Sequence, residues 1–126
     1  MTLTASQRQV NERVTTRITG TITDEAGDAL GADDLTTLVL TIYSAITGDI
    51  INSVDGVDIL NTGRGSFTGS AFTLTLTPAD NQIVDSTPIG EFEVHYLLIE
   101  WTWASGVKAD NQVIRLDVLS MLKVPT

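Results

Sequence analysis

Gly90-Glu-Phe-Glu-Val-His-Tyr-Leu-Leu-Ile-Glu-Trp-Thr-Trp103 leads into Ala104-Ser-Gly-Val-Lys-Ala-Asp110 and then Asn111-Gln-Val-Ile-Arg-Leu-Asp-Val-Leu-Ser-Met-Leu122. The two flanking runs are rich in β-branched and aromatic residues, which suit a pleated surface. The middle run holds Ser105-Gly106, where glycine can take positive φ. The stretch reads as one long antiparallel hairpin at the centre of the core. In its first arm Phe92, Val94, Tyr96 and Leu98 share a face. The other face begins polar with Glu93 and His95 and turns apolar at Leu97, Ile99, Trp101 and Trp103, as in a central strand covered on both sides. In the second arm Ile114, Leu116 and Val118 alternate with Arg115 and Asp117. An arm of about a dozen residues exceeds the usual strand of ~5–6, so its far end is expected to project past the core. Trp101 and Trp103 lie on one face near that tip. Either they pack under a loop, as large aromatics mostly do, or they form a contact patch for a partner or a sugar.

Working outward, strand and turn signals recur along the chain. Phe72, Leu74 and Leu76 alternate with Thr73, Thr75 and Thr77, the cleanest strand pattern present. Thr77-Pro-Ala-Asp80 reads as a helical turn, with Thr at the N-cap, Pro at N1 and Asp at N3. Ile83 and Val84 then plug the end of the sheets. Leu38, Leu40 and Ile42 face the core from a strand over Thr36–Tyr43, and Thr37, Val39, Thr41 and Tyr43 form its other side. Ala45–Gly48 is a hairpin turn leading to a short edge strand over Asp49–Val54. Asp55-Gly56 is a further turn. The first core strand spans Val14–Thr23, with Val14, Ile18 and Ile22 inward. About seven strands at this spacing predict an all-β, two-sheet sandwich. The predicted domain covers residues 14–122. Residues 1–13 form an extended N-terminal arm, with a turn of helix at Ser6–Glu12, and residues 123–126 form a tail. Deleting such an arm is expected to leave the fold intact and abolish assembly.

The chain holds 126 residues, with 7 Lys and Arg against 16 Asp and Glu, for a net charge of −9. That balance disfavours nucleic acid, whose phosphates require basic side chains. No apolar run approaches the ~20 residues of a membrane span. There is no cysteine, so thiol chemistry and disulfides are excluded and folding in a cytoplasm is the natural inference. Arg8, Arg13 and Arg17 give the first 17 residues a basic character against an acidic body. They are candidate partner contacts, together with Trp101 and Trp103; a short terminus that is simply frayed is the alternative.

Chemistry has little to draw on. His95 is the one histidine, close to Glu93 on the same strand face. A transition-metal site lacks ligands, and no Gly-x-Ser-x-Gly elbow occurs. The histidine reads as solvated or hydrogen-bonded within a strand. Asp24, Glu25 and Asp28, Asp33 and Asp34, Asp55 and Asp58, and Asp80 and Asp85 are oxygen ligands of the kind calcium takes. They are equally the ordinary residues of turns and caps, and none matches the EF-hand or nonapeptide pattern. Neither an enzyme nor a cofactor or metal is expected.

Asp34-Leu-Thr-Thr-Leu-Val-Leu-Thr-Ile-Tyr43, Ile50-Ile-Asn52, Leu74-Thr-Leu-Thr-Pro-Ala-Asp-Asn81 and Ile99-Glu-Trp-Thr-Trp103 together resemble a small Ig-like domain of tailed-bacteriophage virion proteins. The resemblance covers residues 14–122. It departs from Ig domains in lacking the disulfide, in placing tryptophan on the penultimate strand and in lacking the tyrosine corner. It implies an Ig-like sandwich and a structural role, as a capsid cement or decoration subunit contacting the major capsid protein, other virion subunits or its own copies. Such a protein is assembled in the host cytoplasm and ends in the virion. A neck or tail component is a second expectation. A carbohydrate-binding or adhesion module using Trp101, Trp103 and Tyr43 is a third.

Overall fold

The computed structural model describes residues 2–3, 7–85 and 87–121. Among these, the alternating segments form nine strands: β1 Thr2–Leu3, β2 Gln7–Asn11, β3 Thr16–Thr21, β4 Leu35–Ser44, β5 Val57–Asp58, β6 Gly65–Thr68, β7 Ala71–Leu76, β8 Phe92–Trp103 and β9 Lys108–Leu119. Two sheets result, with orders β1-β3-β7-β6 and β2-β9-β8-β4-β5. Taken as A-B-E-D and A′-G-F-C-C′, these orders are those of an Ig-like sandwich.

The central hairpin pairs β8 with β9 without a break from Phe92↔Leu119 to Trp103↔Lys108. Its tip is tighter than the sequence suggests. Strand pairing resumes at Lys108, and Ala104, Ser105 and Gly106 all take positive φ, at 54°, 58° and 84°. The core lies between the sheets. Ile18, Phe72, Leu74 and Leu76 meet Leu38, Leu40, Ile42, Leu97, Ile99, Ile114 and Leu116, all fully or almost fully buried. On β8 the buried face is the one that starts polar, so Glu93 and His95 lie inside at 0% exposure.

The N-terminal segment is extended, but it is laid along the chain's own sheets. β1 pairs antiparallel with β3, and β2 pairs parallel with β9, from Gln7↔Arg115 to Asn11↔Leu119. The helical turn expected at Ser6–Glu12 is therefore replaced by strand from Gln7 onward; Ser6 lies outside the described residues, as do Leu122 and the tail at 123–126. Glu12 closes the segment. Its N–H donates to the Leu119 carbonyl at 3.0 Å, and its carboxylate accepts the Met121 N–H at 2.7 Å. A sheet edge with open donors and acceptors on β9 explains why a polar terminus docks there.

Two other expectations change. Val14 is exposed, and the first core strand begins at Thr16. Asp49–Val54 is not a strand, retaining only a bridge between Ile50 and Tyr43. Asn52 and Ser53 take positive φ (55° and 57°), which breaks an extended path while Ile51 and Val54 reach the core. The turn at Pro78–Asn81 is a short 3-10 turn. Asp80 reaches back from it to accept the Thr77 N–H at 2.7 Å, and Ile83 packs on the core while Val84 stays exposed.

Candidate functional site: the outer face of the five-stranded sheet

The strand register sets a broad outward surface on β4, β8 and β9. Tyr43, Tyr96 and Arg115 stand opposite one another in one row. Thr41, Leu98 and Val113 form the next, and Val39, Glu100 and Asn111 the one after. Tyr43 and Tyr96 pack with ring centroids 5.6 Å apart, tilted by 55°. Phe92 and Val113 are each 43% exposed, and Val39, Tyr43, Val94, Tyr96 and Leu98 are half-buried. Among the described residues no further layer covers this face. Arg115 donates from Nε to Asp117 at 2.8 Å, and that bond holds the guanidinium above its ordinary pKa. The surface was legible as apolar residues at the outward parity of three strands. Reading it required knowing that the three are neighbours.

The residues singled out in the sequence do not converge. Trp101 is 1% exposed and Trp103 8%, both in the core cluster. The Trp101 indole N–H donates to the Thr23 carbonyl at 3.2 Å, so the β3–β4 connection lies over it. The tryptophans are therefore not an exposed platform for a partner or a sugar, and the end of β8 does not project free of the core. Tyr43 faces the opposite side of the sheet. Arg13 is exposed, holds φ at 56° and donates its N–H to the Asn81 carbonyl at 2.9 Å. Arg17 is exposed on β3, paired with Thr75 of β7 in the four-stranded sheet. Arg8 stands opposite Leu116 on β2, with its side chain outside the described residues. The arginines are thus divided between two sheets and the turn joining them.

Catalytic residue types are gathered at one end of the sandwich, but inside it. The Glu93 carboxylate accepts the Val84 N–H at 3.0 Å and the Asp85 N–H at 2.6 Å, and is paired with His95 Nε2. Ser44 donates its hydroxyl to Asp85 at 2.5 Å. Ser44, Glu93 and His95 are each 0% exposed, so a solvent-borne substrate has no contact with them. The serine proton is directed at Asp85, and the histidine at Glu93. The arrangement ties the segment before β8 to the sheet; it does not activate a nucleophile. Among the described residues His95 Nδ1 is buried with no hydrogen-bond partner.

A second buried group holds the same end. Asp80 accepts from Arg64 through both terminal nitrogens, from Asn52 at 2.8 Å and from Thr77. Burial alone would raise its pKa. The Arg64 pair and the other donors outweigh that and hold it below the ordinary aspartate value.

The surface acids serve turns. Asp24 accepts the Ala26 and Asp28 N–H groups, both at 2.9 Å, Asp34 accepts that of Gly31, and Asp58 those of Leu60 and Asn61. Among the described residues no three His, Asp or Glu side chains are grouped so as to hold a metal, and no helix is long and apolar enough to cross a membrane. Comparison of the chain with protein-family models and with curated proteins finds no match.

Proposed function

We propose that this protein is a non-catalytic structural subunit that works by protein–protein contact, and that its setting is a tailed-phage virion, as a capsid cement or decoration protein. The observation that carries the contact role is the half-exposed apolar face built from Val39, Tyr43, Tyr96, Leu98 and Val113. Contiguous apolar surface of this kind marks an interaction site. The phage setting rests on the resemblance of the strand and turn motifs. A neck or tail subunit would use the same surface.

The test is quantitative mass spectrometry of gradient-purified virions, with head stability to heating compared with and without the chain. A copy number that tracks the major capsid protein, with heads that break more easily when the chain is missing, is the expected result. A copy number matching one ring moves the protein to the neck or tail. Absence from the particle sinks the assignment.

A further inference from the structure

We propose that the outer face of the five-stranded sheet binds a second copy of this chain, face to face, about a twofold axis. The proposal rests on reading that face as a contact surface and adds the partner. Extent supports it. β4, β8 and β9 hold 10, 12 and 12 residues. At ~3.4 Å per residue and ~4.8 Å between strands they present roughly 550 Å². Two such faces together exclude about 1,100 Å², just above the ~1,000 Å² a specific interface needs. An interface of that extent sits at the low end of the specific range, so the expected dissociation constant is on the order of micromolar.

Charge points the same way. The chain carries −9 in all. The outward side chains of these three strands hold only Arg115, Glu100 and Asp117 as charges, and Asp117 is already bonded to Arg115. Two acidic copies repel least where these faces meet. The register also makes the face complementary to itself. Leu98 lies midway between Tyr96 and Glu100 on β8, and Arg115 stands beside Tyr96 on β9. A twofold axis through Leu98, in the plane between the sheets and perpendicular to β8, stacks Leu98 on Leu98. It also carries Glu100 of each copy over Tyr96 of the other, next to Arg115. Arg115 uses Nε for Asp117 and directs its terminal nitrogens to the second copy's Glu100. The off-axis contacts each occur twice, as an isologous interface requires.

The test is the mass of the purified chain by light scattering across a concentration series. The expected result is a monomer that becomes a dimer as concentration rises through the micromolar range. Leu98→Asp should weaken dimerisation by roughly thirtyfold or more, with the far-ultraviolet spectrum unchanged. Glu100→Arg and Arg115→Glu should each be monomeric, because each sets like charges against one another. An equimolar mixture of the two should form dimers again, since both crossed contacts become attractive. A wild-type mass that stays monomeric throughout overturns the proposal, as does a dimer indifferent to Leu98→Asp. A monomer that is nevertheless present in virions, with this face protected from labelling, refutes self-association and leaves the structural role standing, its partner being another protein.

Discussion

Asp80 is a carboxylate held at 0% exposure, with Arg64, Asn52 and the Thr77 N–H all aimed at it. Its folded pKa lies below that of an aspartate in the unfolded chain. On acidification the unfolded chain therefore takes up this proton first. The contribution to stability is complete above the ordinary aspartate range, near pH ~4, and is lost as pH falls through the folded value. Asp80→Asn keeps the size but leaves the Arg64 guanidinium without a counter-charge. It should cost about 3 kcal/mol at neutral pH, and the gap to wild type should narrow in acid. Urea unfolding at neutral pH and at pH ~3 checks this. A gap that does not change with pH would mean the carboxylate charge contributes nothing.

At the scale of elements, β6 depends on the absence of a side chain at Gly65. A Cβ there would lie 2.3 Å from the Ile59 carbonyl oxygen and 2.9 Å from Phe72 Cε1. The first neighbour is backbone and cannot swing aside. Gly65→Ala should therefore destabilise by about 2–3 kcal/mol through overpacking, read as a lower urea midpoint. A neutral effect would show that the crossing of β6 by the β5–β6 connection is looser than described. β2 makes the second case. It pairs five residues with β9, and Val10 packs on the core. Its removal uncovers backbone groups on β9, at about 1 kcal/mol for each lost bond. Deleting residues 1–11 should lower stability by about 3 kcal/mol, in contrast to a free arm, whose loss would leave the unfolding curve unmoved.

Over the whole molecule the decisive quantity is the charge of −9. Self-repulsion of that size opposes the compact state and is screened by salt. Raising sodium chloride from ~20 mM to ~0.3 M shortens the screening length from about 20 Å to about 6 Å. The thermal midpoint should rise by a few degrees. A fall would mean that ion pairs such as Lys108–Glu25 and Arg115–Asp117 outweigh the repulsion.

By itself the sequence determined the all-β class, the hairpin around Ser105-Gly106, the inward run Phe72, Leu74 and Leu76, and the turn at Thr77–Asp80. Period-2 alternation and turn chemistry act over a few residues, so they are written locally. Only the tertiary structure decided which side of β8 is the core. Parity tells that Glu93, His95 and Trp101 share one face and Tyr96 and Leu98 the other, and both faces carry apolar residues. The second sheet packs on the first of these, carrying Glu93 and His95 inside because backbone N–H groups from the preceding segment are there to receive the carboxylate. The cover over Trp101 and the parallel docking of β2 on β9 likewise depend on chain segments 78 and about 108 residues away in sequence. No local pattern encodes a partner at that distance, because the pairing is favourable only once the sheet edge it completes has formed.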